Sequence, residues 1–242
     1  MLDLLRQSFW QPCLLCEQPQ KQLSLICEPC QLDLPWLPSG CTQCALPWRY
    51  HPSQSPCRQP GWLINNCRAT LAYHFPVPQL IHQFKQQASL TTGRALGLCL
   101  TQNTHFTGTA IDALIPVPSS RQTLRSRGFN PAKILADTIG HALGIPVMTN
   151  WVIKTGITKA QKYRSRAERL TVSENPFRAK KPCTAKRIAI IDDVITTMTT
   201  AIQVAEPLKA QGVQHIEIWA PCRTLPKLTT LVSPSHSPIE MR

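Results

Sequence analysis

Arg187 to Ala201, RIAIIDDVITTMTTA, is the stretch whose reading decides the fold. Ile188 to Ile191 is a short apolar run rich in β-branched residues, which suits a buried parallel strand. Asp192 and Asp193 follow at once, then four threonines within five residues, Thr196, Thr197, Thr199 and Thr200, with Met198 among them. An apolar, helix-compatible stretch begins at Ala201. Open α/β sheets bind ligands where a strand ends in polar residues and feeds a helix. The start of that helix offers free backbone N–H groups and the positive end of a dipole, which suits a phosphate. Threonine hydroxyls add donors. The two carboxylates can accept hydrogen bonds from sugar hydroxyls or share a metal ion.

The flanking segments supply the rest of an α/β sheet. Arg68 to Phe75 alternates enough for a strand, which Pro76 and Pro78 end. Gln79 to Gln87 is expected to be a helix with Leu80, Ile81 and Phe84 on its apolar face and His82 and Lys85 on its solvated face. A second helix is expected from Thr91 to Gln102. Asp112 to Val117 is the next strand, and it runs into Ser119, Ser120 and Arg121 in the manner of a pyrophosphate loop. Arg125, Arg127, Gly128, Phe129 and Asn130 follow, and a helix from Pro131 to Leu143 ends at Gly144. Lys154 to Arg169 carries Lys154, Lys159, Lys162, Arg164, Arg166 and Arg169, lacks an apolar period, and is expected to be a loop between two strands. Downstream, Ala201 to Ala210 is expected to be helical, with Pro207 kinking it or ending it early, and Gln214 to Ala220 to be a strand. The tail beyond Thr224, rich in Pro, Ser and Thr, is expected to be disordered.

Cysteine usage marks a separate N-terminal module. Of the 11 cysteines, those before residue 68 include three C-x-x-C pairs. Cys13, Cys16, Cys27 and Cys30 have the spacing of two knuckles that deliver four thiolates to a tetrahedral zinc ion. A module this small buries too little apolar surface to be stable alone, so the metal would supply folding free energy. Cys41, Cys44 and Cys57 begin a second set, but the C-x-x-C partner of Cys57 would be residue 60, which is Pro60. His51 or Cys67 could complete it, and the spacing selects neither. Trp10, Trp36, Trp48 and Trp62 are expected to form the module's small core.

The 242-residue chain carries a formal charge of +13, and the part up to Cys67 is neutral, so the excess lies beyond it. It is densest between Arg121 and Arg187, a field that favours pyrophosphate, nucleotides or nucleic acid. No stretch approaches the ~20 apolar residues that span a bilayer, and the N-terminus does not have the form of a signal peptide. The expectation is a cytoplasmic protein without membrane insertion.

Residues 187–201 resemble the phosphoribosyl-pyrophosphate (PRPP) motif of type I phosphoribosyltransferases: four apolar residues, two acids, two spacers and Thr-Thr-Gly-x-Thr. Met198 stands where that family has glycine, and it is expected to put a long side chain at the loop. The strings IHQFKQQ, IPVPSSRQTLRSRGFNPAKILA and IEIWAPCRTL, with the N-terminal cysteines, resemble the ComF/GntX family over nearly the whole chain. The resemblance implies an α/β type I phosphoribosyltransferase-like domain over 68–224, a double zinc ribbon over 1–67 and a tail over 225–242. It further implies that Asp192 and Asp193 hold ribose hydroxyls, that Thr196, Thr197, Met198, Thr199 and Thr200 bind the 5′-phosphate, and that Ser119, Ser120 and Arg121 face pyrophosphate. Arg125, Arg127, Lys154, Lys159, Lys162 and Arg164 would serve a closing loop or nucleic acid. Where relatives usually show Arg-Asn and Ala-Phe near that loop, this chain has Thr171, Val172 and Pro176, Phe177. The implied function is DNA uptake in competence or the use of DNA as a nutrient. Zinc would be structural, single-stranded DNA and competence or helicase proteins would be partners, and PRPP or another phosphorylated sugar would be the small ligand. The alternative is an active transferase using magnesium with PRPP on an unknown acceptor.

Overall fold

A computed structural model describes residues 11–20, 25–51, 55–103, 110–155 and 175–226. In the cysteine-rich part, β1 (Gln11–Pro12) pairs antiparallel with β2 (Pro19–Gln20), and α1 (Glu28–Leu32) follows. The chain then alternates: β3 (Asn66–Ala72), α2 (Val77–Gln86), α3 (Leu90–Asn103), β4 (Ala113–Pro116), α4 (Arg121–Arg127) and α5 (Pro131–Leu143). After an antiparallel pair, β5 (Val152–Lys154) with β6 (Phe177–Ala179), come β7 (Arg187–Ile191), β8 (Val194–Ile195), α6 (Thr199–Lys209) and β9 (His215–Arg223). The main sheet has the order β3-β9-β7-β4, with β8 also beside β9, and every pairing in it is parallel. The expected mostly parallel sheet flanked by helices is therefore what the chain forms.

Both faces of the sheet are covered. Ile188 and Ile190 of β7 share one apolar cluster with Val204 and Leu208 of α6, while Ala189 and Ile191 share the other with Phe84, Leu96 and Leu135 of α2, α3 and α5. Two-sided burial is why β7 is a continuous apolar run rather than an alternating one. Both outer edges are also occupied. On the β3 side, Leu37 N–H donates to the Thr70 carbonyl at 2.7 Å, Ala72 N–H to Pro35 at 2.7 Å and Cys67 N–H to Thr42 at 2.6 Å, so the cysteine-rich part covers that edge. On the β4 side, Leu114 exchanges hydrogen bonds with Pro146 and Met148.

Several boundaries and one element differ from expectation. The first sheet strand begins at Asn66 and ends at Ala72, the span over which it pairs with β9, Asn66 opposite Glu217 and Ala72 opposite Arg223. Residues 121–127, to which the sequence assigns no element, form α4, which Ser120 caps at its start and Gly128 at its end in the left-handed conformation (φ 81°). Most of α4 is exposed, so it has no apolar period to betray it. The helix ending at Gly144 lies where its spacing places it. Pro207 neither ends nor shortens α6, which runs to Lys209. A proline leaves the carbonyl four residues earlier without its helical donor; here Asn175 Nδ2 donates to that Gln203 carbonyl at 2.6 Å. Trp48 is 59% exposed, against the expectation of a core residue, whereas Trp36 and Trp62 pack against buried clusters. Trp10, the segment 156–174 and the tail from 227 lie outside the described residues. Among the described residues no helix is long and apolar enough to cross a membrane.

Candidate functional site

The acid pair occupies a break in the sheet. β7 and β8 keep one register against β9, Ile191 opposite Trp219 and Val194 opposite Cys222, with Asp192 and Asp193 between them. Asp192 N–H still donates to the Trp219 carbonyl at 3.0 Å. In a parallel ladder the next bond would run from the N–H of residue 221 to the Asp192 carbonyl, and residue 221 is Pro221, which has no N–H. Pairing lapses there and resumes at Val194, which leaves the two carboxylates at the C-terminal edge of a central strand, half-buried.

The pair has an internal order. Asp193 N–H donates to Asp192 Oδ1 at 2.8 Å, and Lys85 Nζ lies 2.7 Å from Asp193 Oδ2. Lys85 arrives from α2, whose apolar residues Leu80, Ile81 and Phe84 are buried. The Phe84 ring meets Phe129 of the RGFN stretch at 5.7 Å, so α2 is packed against the loop that precedes α5. The reading of Lys85 as a solvated residue is thus corrected. His82 is exposed, as expected. Burial first, and then the charge of Asp193, push the Asp192 carboxyl up to about 7. The site therefore holds one carboxylate neutralised by a lysine and a second that titrates near neutrality. No signal along the chain links Lys85 to an acid more than a hundred positions away.

Beyond β8 the turn at 196–198 leads into α6. Thr196, Thr197, Thr199 and Thr200 are exposed, with the Thr197 and Thr199 hydroxyls 2.9 Å apart. Met198 adopts φ 68°, ψ −2°, the left-handed conformation that glycine takes without strain, and it is the N-cap residue of α6. Its side chain does not stand in the loop. It is 4% exposed, belongs to the cluster under α6, and brings Sδ within 3.9 Å of Cys67 Sγ. The start of α6 has no side-chain cap, unlike α4 and α5, which Ser120 and Asn130 cap. The first N–H groups of α6 thus keep their capacity for an anion.

The 117–121 segment reaches the same sheet edge, since Val117 N–H donates to the Ile191 carbonyl at 2.9 Å and Asn130 Nδ2 to Val117 at 3.0 Å. Ser119 is half-buried and Arg121 exposed. The Ser120 hydroxyl already accepts from Thr123 N–H at 3.0 Å. Arg125 is exposed, Arg127 half-buried, and Lys154 Nζ lies 5.3 Å from the centre of the Phe177 ring. Lys159, Lys162 and Arg164 lie outside the described residues.

Two donor groups could each hold a metal ion. Cys13, Cys16, Cys27 and Cys30 form one and Cys41, Cys44, His51 and Cys57 the other, with the ligand atoms of each group within 4.8 Å of one another. Zinc with bonds of about 2.3 Å to sulfur needs tetrahedral sulfur–sulfur edges of about 3.8 Å. Cys16 and Cys27 stand at 3.7 Å, Cys41 and Cys57 at 3.8 Å, and His51 Nε2 lies 3.3 Å from Cys57 Sγ. Both sets fit zinc. The alternative left by spacing is decided for His51; Cys67 is buried against Met198 instead. At Cys13, burial would raise the thiol, but N–H donors from Cys16, Cys27 and Leu15 outweigh it and hold it down to about 6, near the thiolate form a metal needs.

No protein-family model matches the chain. DNA utilization protein YhgH of Salmonella typhimurium is 30% identical over 227 residues, covering 88% of this chain and 97% of that protein. The YhgH protein of Escherichia coli K12 is 29% identical over the same length, and competence protein F of Haemophilus influenzae is 28% identical over 222 residues, covering 86% and 90%. Among solved structures, the glutamine PRPP amidotransferase of B. subtilis, complexed with ADP and GMP, matches 52% of this chain and 24% of its own at 19% identity and a TM-score of 0.34. Identity near 30% over most of the chain with the YhgH and competence F proteins places the chain by descent: it belongs to their family, the ComF/GntX family that its motifs resemble.

Proposed function

We propose that the protein serves the uptake or use of DNA and that it binds a phosphorylated sugar of PRPP type at the turn after β8. The observation that carries this reading is the half-buried acid pair at the sheet edge, with Lys85 on Asp193, shortly before a helix start that no side chain caps. Asp192 and Asp193 would accept the ribose hydroxyls. The N–H groups and hydroxyls of Thr196, Thr197, Thr199 and Thr200 would take the 5′-phosphate, with Met198 shaping the backbone. Ser119 and Arg121 would face pyrophosphate, Ser120 contributing through the helix that it caps. The names of the relatives supply the DNA context. Exposed Trp48, with the Arg49 guanidinium 4.6 Å over the Tyr50 ring, would offer a stacking surface for single-stranded bases. A cytoplasmic setting and competence or helicase partners accompany this reading.

Magnesium-dependent transfer is the second reading, and the backbone of Met198 favours it: the turn follows a glycine-like course with the side chain directed away from the loop. Magnesium would enter with PRPP and neutralise the pyrophosphate. The chain's own part would be to orient the ribose and to stabilise the leaving group's charge with Arg121 and the helix start.

Calorimetry with ribose 5-phosphate, and with PRPP plus magnesium, tests the ligand. Binding with a Kd of about 1 mM or tighter is expected, and the double change Asp192→Asn, Asp193→Asn should abolish it. Absence of heat from the wild type at millimolar ligand refutes the reading. Fluorescence anisotropy with a labelled single strand should show binding that weakens steeply between about 50 and 200 mM salt and drops on Trp48→Ala; salt-insensitive binding refutes the DNA surface.

A further inference from the structure

Arg223 ends β9 with 5% of its surface exposed, and its hydrogen-bond partners among the described residues are main-chain carbonyls. Nε donates to Cys44 at 2.9 Å, and Nη1 donates to Ile195 at 3.1 Å and to Thr196. Cys44 belongs to the second donor group, Ile195 ends β8 and Thr196 opens the turn before α6, so one buried guanidinium joins that group to the turn and to the strand leading into it. A planar fork of donors suits that task, because one rigid group fixes several carbonyls at once.

Two further ties run in parallel. Cys67 N–H donates to Thr42, inside the Cys41–Cys44 knuckle, while Cys67 Sγ meets Met198. Thr224 N–H donates to the Ile195 carbonyl at 2.9 Å, and Leu225 next to it packs against the cluster formed by Cys41, Cys44, Leu46 and Cys57. Among the described residues the first donor group shows no such contact with the turn; Cys13 lies in the cluster on the opposite face of the sheet. The knuckle itself turns through Ala45 at φ 54°, a left-handed position that costs about 1–2 kcal/mol without glycine. Binding both sulfurs to one ion is what would hold a turn of that kind in place.

We propose that Arg223 is a positioning residue through which metal at Cys41, Cys44, His51 and Cys57 holds the phosphate turn, so that losing this metal loosens the turn and weakens its ligand. The proposal rests on the reading of that turn as a phosphate site, but the order of the turn can be measured without any ligand.

The test is hydrogen–deuterium exchange of peptides spanning 193–201 in the full chain, with zinc counted by mass spectrometry and ribose 5-phosphate affinity measured alongside. His51→Ala and Cys57→Ser should each lose one zinc and exchange about tenfold faster in the turn. Arg223→Lys should keep its zinc and show the same faster exchange, a separation that general destabilisation would not give. Cys16→Ser, in the first group, should lose one zinc and leave the turn's exchange at the wild-type rate. Unchanged exchange after zinc loss from the second group, an unchanged zinc count in His51→Ala, or protection in Arg223→Lys each overturns the proposal. Where a cysteine-site variant does not fold, Arg223→Lys decides. A wild type that fails to bind ribose 5-phosphate removes the phosphate reading and, with it, the affinity clause, while the exchange result still decides the coupling.

Discussion

Met198 sets two energies against each other, and three substitutions separate them. Its left-handed backbone costs about 1–2 kcal/mol in any residue but glycine. Its buried side chain stabilises by about 2–3 kcal/mol. Met198→Ala removes the side chain and keeps the strain, so it should lose about 2–4 kcal/mol. Met198→Gly removes those atoms together with Cβ and relieves the strain, but it also frees the unfolded chain, which returns about 0.4–1 kcal/mol. The glycine variant should therefore stand about 1 kcal/mol above the alanine variant while remaining below the wild type. Met198→Leu conserves volume and should cost less than about 1.5 kcal/mol. Equilibrium urea unfolding of the full chain, with metal present, measures all three. An alanine variant as stable as the glycine variant refutes the left-handed turn. Two variants within about 0.5 kcal/mol of wild type refute the buried side chain. Because that side chain points into the core, ribose 5-phosphate should bind Met198→Gly within about threefold of wild type; a large gain would mean that the methionine obstructs the phosphate after all.

Further outcomes follow from the charges and the helix. A carboxyl raised to about 7 favours folding while protonated, so the Asp192 contribution is full below its unfolded pKa and is lost as pH rises through 7. Asp192→Asn should remove that slope and be the more stable chain at pH 8 by about 2 kcal/mol, as read by thermal unfolding across pH. Ribose binding through ionised acids should strengthen in the wild type as pH rises through the same range, and Lys85→Met should move that midpoint upward by removing the cation on Asp193. Glu217 is fully buried; burial raises it, but Arg68 at 2.9 Å, Trp219 and His215 outweigh this and hold it below the usual carboxylate range. Its contribution is present above the unfolded carboxylate pKa and lost as pH falls through the folded one, so Glu217→Gln should cost about 2–4 kcal/mol near neutrality and flatten the acid limb of the stability curve. Asn175→Ala should cost about 1 kcal/mol by orphaning the Gln203 carbonyl, with a smaller loss if Pro207→Ala is made first.

The parts of the fold that could be found along the chain are those whose signals are local. An uninterrupted apolar run marks β7 because both of its faces are covered, and Asn130, Pro131 and Gly144 mark the ends of α5 because caps are made by neighbours in sequence. Helix α4 escaped because its period is hidden by polar residues on nearly every side. Pro207 misled because the donor that repairs its helix comes from Asn175, across a long excursion of the chain. The methionine in the turn before α6 looked obstructive because side-chain direction is invisible until the backbone dihedral is known.

Order along the chain was enough for the acid pair after a buried strand, the hydroxyl-rich turn before a helix, and the cysteine spacings that deliver sulfur in pairs. Each is a matter of residues within a few positions of one another, where covalent geometry sets what can meet. Tertiary structure alone decided that Lys85 sits on Asp193, that His51 rather than Cys67 joins the second donor group, and that Arg223 ties that group to the turn. Those contacts join segments distant in sequence, and only the packing of the sheet against its helices and its cysteine-rich edge brings them within bonding distance.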